Sequence, residues 1–392
     1  MARAKARPHG APWKGSHLFL PLSVLALLVA INLTKGADYF SMSVINGALY
    51  GNIPNILFGA SELVILAIGM TLVTASSRGQ DISVGVAGAI TSAVFVRLLL
   101  GAGGITWLTI LACFLASCVV GILIGAFNGS LVSVFRVQPM VATLILFTAG
   151  RSISFMIDGK LSPILANDLT GQLGGVIPGV PLQTPIILTV VFIAFFAVLL
   201  KTTNLKLYAE SVGINDKAAR LNGIDPARIK FLTYMILGVC SAVAGFIAVT
   251  KAGRHDSVNL LKYVEMDAIL AVAIGGNSLG GGKFSISGSI IGAYTIEVLN
   301  RTLLRLEVDT EAIKAFKAVF IIILMVVASP VVREYATKTL RWARSRVGVE
   351  PQPRAGRDAA PAAGAPAAGA PAAGAPGAAA VSDPDAPRKK EG

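Results

Sequence analysis

Long apolar runs alternate with short polar loops over most of the chain. Because a helix needs about 20 apolar residues to cross a bilayer, each such run predicts one membrane-spanning helix. The pattern predicts an all-α integral membrane protein with about ten transmembrane helices, of which the eighth is interrupted by glycine. The runs fall near residues 17–33, 54–75, 82–100, 105–127, 138–157, 184–200, 227–250, 264–280, 285–304 and 312–329.

Small residues recur within these runs at a spacing that lets two helices approach closely. Gly121, Gly125 and Gly129 follow one another every four residues, as do Gly288 and Gly292. Such stripes are typical of tightly packed membrane helices. We therefore expect a compact bundle in which these faces pack within the chain, with a dimer through them as the alternative.

The distribution of basic residues predicts the orientation. Residues 1–17 carry four basic side chains and are expected to form a basic cytoplasmic N-terminus. Counting the runs from there places the polar segment 201–230 inside and the segment 158–183 outside. Six basic residues lie in the first segment and one, Lys160, lies in the second. An even number of runs returns the C-terminus to the cytoplasm.

The polar segment 201–230 is the feature around which the other runs are arranged. Ile214, Ala218 and Leu221 are spaced i, i+4, i+7, which predicts a short amphipathic helix. On these residues alone, a docking surface and an ordinary solvated loop both remain open. The residues typical of helix starts and stops are Asn215, Asn222, Gly223, Asp225 and Pro226.

The composition agrees with a membrane protein. The chain is 54% hydrophobic and 14% charged, with a mean hydropathy of +0.71, whereas a soluble domain carries about 25% charged residues. Its formal net charge of +13 lies mostly in loops and at the two ends, without interleaved aromatic residues, so nucleic acid is not expected as a partner. Residues 346–392 are rich in Ala, Pro and Gly and predict a disordered cytoplasmic tail beyond a membrane domain at 18–345.

Charged residues near the runs are candidates for function. Asp81 begins the third run, either as a helix N-cap or as part of a translocation path. Arg151 lies within the fifth run and needs a polar partner there. Glu265 and Asp267 are two residues apart and face different sides of a helix. No metal-type spacing of Cys or His and no nucleophile–base pattern is visible, which argues against an enzyme.

The glycine-rich stretch GGNSLGGGK at 275–283 departs from the phosphate-binding loop motif. Asn277 stands where the motif needs glycine, and Phe284 stands where it needs Ser or Thr. We expect a broken helix or a tight cytoplasmic turn here. Any ATP-driven work would then need another subunit.

Four motifs in order resemble the permease subunits of bacterial ABC sugar importers of the ribose, xylose and galactofuranose type. They are GQDISVG at 79–85, FNGSLVSVFRVQPMVATLILFTAGR at 127–151, ESVGINDKAARLNGI at 210–224 and DAILAVAIGGNSLGGG at 267–282. The resemblance covers about residues 15–345. The chain departs from the family at Arg78, Gly79 and Gln80, because the family usually carries an apolar residue ahead of the aspartate.

The resemblance implies a multi-pass protein of the bacterial cytoplasmic (inner) membrane with no cofactor of its own. Its implied partners are membrane lipid, a second permease chain, identical or related, a cytoplasmic ABC ATPase that hydrolyses ATP, and an extracytoplasmic sugar-binding protein. The resemblance also identifies 201–226 as the coupling loop that docks on the ATPase. The matching residues are Glu210, Gly213, Asn215, Ala218, Ala219, Leu221 and Gly223.

The function predicted from these motifs is that of a permease subunit of an ATP-driven importer for a pentose or hexose. An uncharged, hydroxyl-rich solute needs hydrogen-bonding side chains in an apolar path. The path candidates are Asp81, Ser83, Asn128, Gln138, Thr143 and Arg151. The alternatives are an ion-coupled secondary carrier that uses Asp81, Arg151 or Asp267, and a membrane-embedded enzyme.

Overall fold

The computed structural model describes residues 18–34, 41–45, 48–159, 162–309, 312–313, 315–319 and 322. The predicted N-terminal segment 1–17, the predicted tail 346–392 and most of the tenth run lie outside these residues. The helices are α1 (Phe19–Thr34), α2 (Asn52–Gly59), α3 (Ser61–Ser77), α4 (Val84–Gly101), α5 (Trp107–Ser133), α6 (Pro139–Ile157), α7 (Asp168–Gly174), α8 (Thr184–Thr202), α9 (Leu205–Ile214), α10 (Asp216–Leu221), α11 (Pro226–Ala252), α12 (Val264–Ile274) and α13 (Ile286–Arg305), and the strands are β1 (Met42–Ile45) and β2 (Ala48–Gly51).

Five of the described helices are long and apolar enough to cross a membrane, namely α4, α5, α6, α8 and α11. Together α2 and α3 pass the same test with a bend of 45° between them, which makes up to six spanning segments by length and composition. In contrast, α12 has 11 residues, so at about 16 Å it is only about half as long as the ~30 Å hydrocarbon layer is thick. The count of ten spans and the cytoplasmic location of both termini stay predictions.

The long helix α11 is the centre of the bundle. It packs along α5, α3 and α4, and its residues Tyr234 and Leu237 are buried. A Cβ atom added at Gly121 would overlap the carbonyl oxygen of Gly238, and one added at Gly125 would overlap that of Tyr234. The glycine stripe of α5 therefore packs against α11 within the chain, as the sequence predicted.

A small antiparallel hairpin corrects the all-α prediction. β1 pairs with β2 so that Met42 stands opposite Gly51, and the backbone N–H of Leu49 donates to the carbonyl of Pro181 at 2.8 Å. Strands of four residues are too short to show a clear period-2 pattern. The described residues are otherwise helical or in loops.

The bundle has two ends, which are defined by the start and the end of α11. Near its start, Lys230 contacts Asp216 of α10 at 2.5 Å. Near its end, the carbonyl of Gly253 accepts a hydrogen bond from the backbone N–H of Leu165 at 2.8 Å. The α10 end comprises residues 75–83, 132–139, 203–230 and 275–284, and the His255 end comprises 158–159, 162–183 and 253–263. The polar segment and the segment expected outside thus lie at opposite ends, as the predicted topology requires.

Candidate functional site

α10 is a six-residue helix. It begins and ends at the residues that the sequence predicted as helix start and stop. The Asn215 side chain accepts hydrogen bonds from the backbone N–H groups of Lys217 at 3.0 Å and Ala218 at 3.2 Å, which satisfies donors left free at a helix start. Gly223 has a φ of +80°, a conformation that favours glycine. The Asp225 carboxylate caps α11 by accepting the backbone N–H of Ala227 at 3.0 Å. The predicted start and stop signals are confirmed.

A second helix, α9, precedes α10 and was not predicted. Leu205, Ala209 and Val212 form its buried face at the spacing i, i+4, i+7. Gly213 is also buried, and a Cβ atom there would overlap the carbonyl oxygen of Ala75 in α3. α9 therefore lies against α3 at a distance that only glycine allows.

The amphipathic face predicted from Ile214, Ala218 and Leu221 is wrong. α9 ends at Ile214 and Asn215 begins a new helix, so the three residues do not share one helix. Ile214 is 60% exposed and Leu221 is 89% exposed, while Ala219, at 3%, is the buried residue of α10. α10 therefore presents Leu221 outward and packs on the bundle through a small residue.

Polar contacts fasten α9 and α10 to the bundle. Arg78, one of the departures from the family pattern, donates to the carbonyls of Gly213 at 2.8 Å and Ile214 at 2.9 Å. These are carbonyls that the end of α9 leaves without helical partners. Asp216 pairs with Lys230 and lies 4.0 Å from Arg78. The two short helices are thus tied to the end of α3 and the start of α11.

The loop 275–284, which joins α12 to α13, also packs against α9. The Asn277 side chain accepts the backbone N–H of Ser285 at 2.6 Å and so closes the loop between α12 and α13. The backbone N–H of Phe284 donates to the Glu210 carboxylate at 3.4 Å. The predicted break in the eighth run is confirmed, and the loop belongs to the α10 end.

The residues that match the coupling loop fall into two groups. The buried or half-buried group holds the loop in place, and the exposed group is available to a partner. Buried or half-buried are Glu210, Gly213 and Ala219, and exposed are Asn215, Ala218, Leu221 and Gly223.

An open pocket of about 850 Å³ lies between α10, the start of α11 and the loop that joins α5 to α6. Gln138, a predicted path residue, lines this pocket and is exposed. Among the described residues, its side chain makes no hydrogen bond to the buried path candidates. The charged residues that line the pocket are Arg136, Asp216, Lys217, Arg220 and Lys230.

Four of the path candidates come together in a buried site. Asp81 accepts hydrogen bonds from the Ser83 backbone N–H at 2.7 Å and hydroxyl at 2.6 Å, and Asn128 donates to the Ser83 hydroxyl at 2.9 Å and to Asp81 at 3.3 Å. The Thr143 hydroxyl accepts the backbone N–H of Ile82 at 3.2 Å. Burial raises the pKa of the Asp81 carboxyl, and hydrogen bonds from Ser83 and Asn128 offset part of the rise. Because these groups bond one another, they brace the turn from α3 to α4 in this conformation.

Arg151 lies away from that site, near the other end of α6. Its guanidinium donates to the backbone carbonyls of Ser257 at 3.2 Å, Leu260 at 2.5 Å and Leu261 at 3.2 Å. The polar partner that the sequence required is therefore the loop that follows α11. Arg151 braces this loop at the His255 end.

A buried cluster at the His255 end was not predicted. His255 Nδ1 lies 2.6 Å from the Asp158 carboxylate, and Nε2 lies 3.1 Å from both the Ser92 hydroxyl and the Ala89 carbonyl. The Ser257 hydroxyl donates to the same Asp158 oxygen. His255 and Asp158 are 97 residues apart, so no sequence spacing links them. The available signal was that Asp158 directly follows one predicted span and His255 lies in the loop after another.

The carboxylates of α12 do not form a pair. Asp267 contacts the Lys317 ammonium group at 2.9 Å, and Glu265 is buried. Within the part of the chain that the structure describes, no group of three or more His, Cys, Asp or Glu side chains could hold a metal ion.

Comparisons with known proteins agree with the resemblance. The family described as the permease component of the branched-chain amino acid transport system matches residues 52–329. The fructose import permease protein FruF of Bifidobacterium longum is 35% identical over 333 residues, which is 83% of this chain and 91% of that protein. The galactofuranose transporter permease protein YtfT of Escherichia coli is 37% identical over 316 residues, 79% of this chain and 89% of that protein. The ribose import permease protein RbsC of Escherichia coli is 36% identical over 313 residues, which is 78% of this chain and 92% of that protein. No solved structure matches the chain.

The matched region contains both groups of coupling residues, the buried Asp81 site and the loop 275–284. The three relatives each cover most of the chain at more than 30% identity. The chain therefore belongs to this family of transport-system permease components, and its relatives within the family are permeases of sugar ABC importers.

Proposed function

We propose that the chain forms the translocation path of an ATP-driven importer for a monosaccharide, a pentose or a hexose. The relatives named for fructose, galactofuranose and ribose support a sugar as the solute. A second permease chain completes the path, an extracytoplasmic binding protein delivers the sugar, and a cytoplasmic ABC ATPase binds and hydrolyses ATP. The chain itself carries no cofactor and acts in the bacterial inner membrane.

The observation that carries the proposal is the construction of α10. Leu221 and Ala218 are exposed on this helix, whereas Gly213, Arg78 and Asp216 fix α9 and α10 to α3 and α11. Packed elements of this kind move as rigid bodies. An ATPase that pushes on Leu221 would therefore move α3 and α11 together with α10, which is what a coupling helix must do.

The buried Asp81 site is the part of the path that we propose for the sugar. The side-chain oxygen of Asn128 has no hydrogen-bond partner among the described residues, and it lies beside Asp81 and Ser83. An unpaired buried acceptor favours a donor such as a sugar hydroxyl. Separation of α4 from α5 during the transport cycle would expose these groups to the solute.

The test is uptake of radiolabelled monosaccharide by cells or vesicles that contain the full chain with its ATPase and binding protein. Leu221→Asp should abolish uptake and the copurification of the ATPase, while the permease keeps its yield and melting temperature. Leu108, 75% exposed in the first turn of α5, provides the matched control, because Leu108→Asp places the same charge at the other end of the bundle. A helix start tolerates a carboxylate, so this variant should transport normally.

Two results would contradict the proposal. The first is uptake that persists after the ATPase is deleted. The second is uptake that a protonophore abolishes while ATP depletion at constant membrane potential does not. The second result would favour the ion-coupled carrier, with Asp81 as its candidate carboxylate.

A further inference from the structure

The lining of the pocket at the α10 end is both apolar and basic. Val132, Val134 and Val137 from the α5–α6 region are apolar, and Arg136 lies in the same stretch. Asp216 is the single carboxylate of the lining. The proposed function uses Leu221 of α10 but leaves the basic side chains without a role. The basic side chains are Arg136, Lys217, Arg220 and Lys230.

Three of these cations are not neutralised by the described part of the chain. Lys230 is paired with Asp216 at 2.5 Å. The side chains of Arg136, Lys217 and Arg220 make no ion pair or hydrogen bond with any described residue. Like charges held around one pocket repel each other, and an anion between them removes that repulsion. The pocket therefore favours an anionic ligand.

The lengths of the helices that end at the pocket indicate its position across the membrane. α5 and α11 have 27 residues each, so each is about 40 Å long. The hydrocarbon layer is about 30 Å thick, and the bilayer with its headgroups about 40–45 Å. The last residues of α5 and the first residues of α11 line the pocket, which places it in the headgroup layer.

We infer that this pocket binds the phosphate headgroup of an anionic phospholipid. The guanidinium groups of Arg136 and Arg220 and the ammonium group of Lys217 supply charge-assisted donors for a phosphate. The apolar side chains of Val132, Val134 and Val137 suit the acyl chains that continue from the headgroup. A soluble phosphate compound or an acidic protein surface would use the cations alone. The lipid fits better, because only the lipid brings phosphate and hydrocarbon together at this depth.

Bound lipid would fill the space between α10 and the loop from α5 to α6, and would so help to hold α10 in position. The inference does not rest on the proposed function. It needs only the pocket and a membrane location, and it can be tested on the permease without an ATPase or a sugar.

The experiment is native mass spectrometry of the full chain in detergent, titrated separately with phosphatidylglycerol, phosphatidylcholine and inorganic phosphate. The chain should retain phosphatidylglycerol in preference to phosphatidylcholine. A variant with Arg136→Gln, Lys217→Gln and Arg220→Gln should lose this binding. Each basic side chain near an anionic lipid is worth about fivefold in affinity, so the loss should be about 100-fold.

The control variant carries Lys201→Gln, Arg228→Gln and Lys283→Gln, which removes the same charge from exposed residues outside the pocket lining. It should bind phosphatidylglycerol as the native chain does. Equal loss in both variants would show a general charge effect and overturn the inference. Displacement of the lipid by equimolar inorganic phosphate would assign the pocket to soluble phosphates instead. Unchanged lipid binding in the first variant would also overturn the inference, because the three basic side chains would then not hold the lipid.

Discussion

The two ends of the bundle hold their ionisable side chains in different ways. At the α10 end, the paired side chains of Arg228 and Asp225 are 87% and 46% exposed, and several basic side chains have no ion-pair partner among the described residues. At the His255 end, the paired side chains of His255 and Asp158 are 0% and 2% exposed. A water-exposed charge costs little without a partner, but a buried one costs several kcal/mol. The comparison indicates that the α10 end can meet other molecules, whereas the His255 end holds its own segments together.

The largest expected effect is at the buried pair. His255→Leu leaves the Asp158 carboxylate buried without its ring partner and should lower the free energy of unfolding by about 3–5 kcal/mol. Thermal melting of the detergent-solubilised protein measures the change. Arg228→Leu at the exposed pair should cost less than about 1 kcal/mol. If the two variants melt alike, the contrast between the ends is wrong.

The next effect concerns the contact between α9 and α3. Gly213→Ala places a methyl group where it overlaps the Ala75 carbonyl, and overpacking of this kind costs about 1–3 kcal/mol. Gly171→Ala is the control, because nothing lies within 4 Å of its added methyl group and alanine favours a helix by about 0.5–1 kcal/mol. The melting temperature should fall for the first and hold or rise for the second. Equal melting temperatures would show that α9 is not held closely to α3.

A smaller effect is expected at the cap of α10. Asn215→Ala removes the acceptor for the backbone N–H groups of Lys217 and Ala218 and should cost about 1 kcal/mol. Hydrogen exchange at these two amides should become faster. Asn215→Asp keeps a side-chain acceptor and should keep their protection. Faster exchange in both variants would mean that the cap is not what orders α10.

Most of the bundle could be predicted from the apolar runs, since helices from α1 to α6, α8 and α11 follow them closely. The break predicted in the eighth run is also present, since α12 ends after 11 residues, where the glycines and Asn277 close the chain into a loop. The pattern for α9 was present at Leu205, Ala209 and Val212. With ten residues, several of them polar, α9 is too short and too polar to stand out as an apolar run.

Within the candidate sites, the sequence predicts local contacts but not contacts between distant residues. The caps Asn215 and Asp225 act within a few residues of themselves, so their roles can be read locally. The contacts of Arg78 with α9 and of His255 with Asp158 join residues far apart in the chain, which no spacing rule reveals. Burial is also a property of the packed bundle. For this reason Gly213 and Leu221, predicted to share one role, separate into a packing residue and an exposed one.

Leu221→Asp should give the smallest change in stability but the largest change in the contact between the permease and its ATPase. Leu221 is 89% exposed, so Leu221→Asp should alter the free energy of unfolding by no more than about 0.5 kcal/mol. The matching measurement of contact is photo-crosslinking in the assembled transporter, with a photoreactive amino acid in place of Leu221 or, as control, Leu108. The account predicts a crosslink to the ATPase from position 221 and none from position 108. A transporter that imports sugar while position 221 gives no such crosslink would contradict the assignment of α10 as the coupling helix.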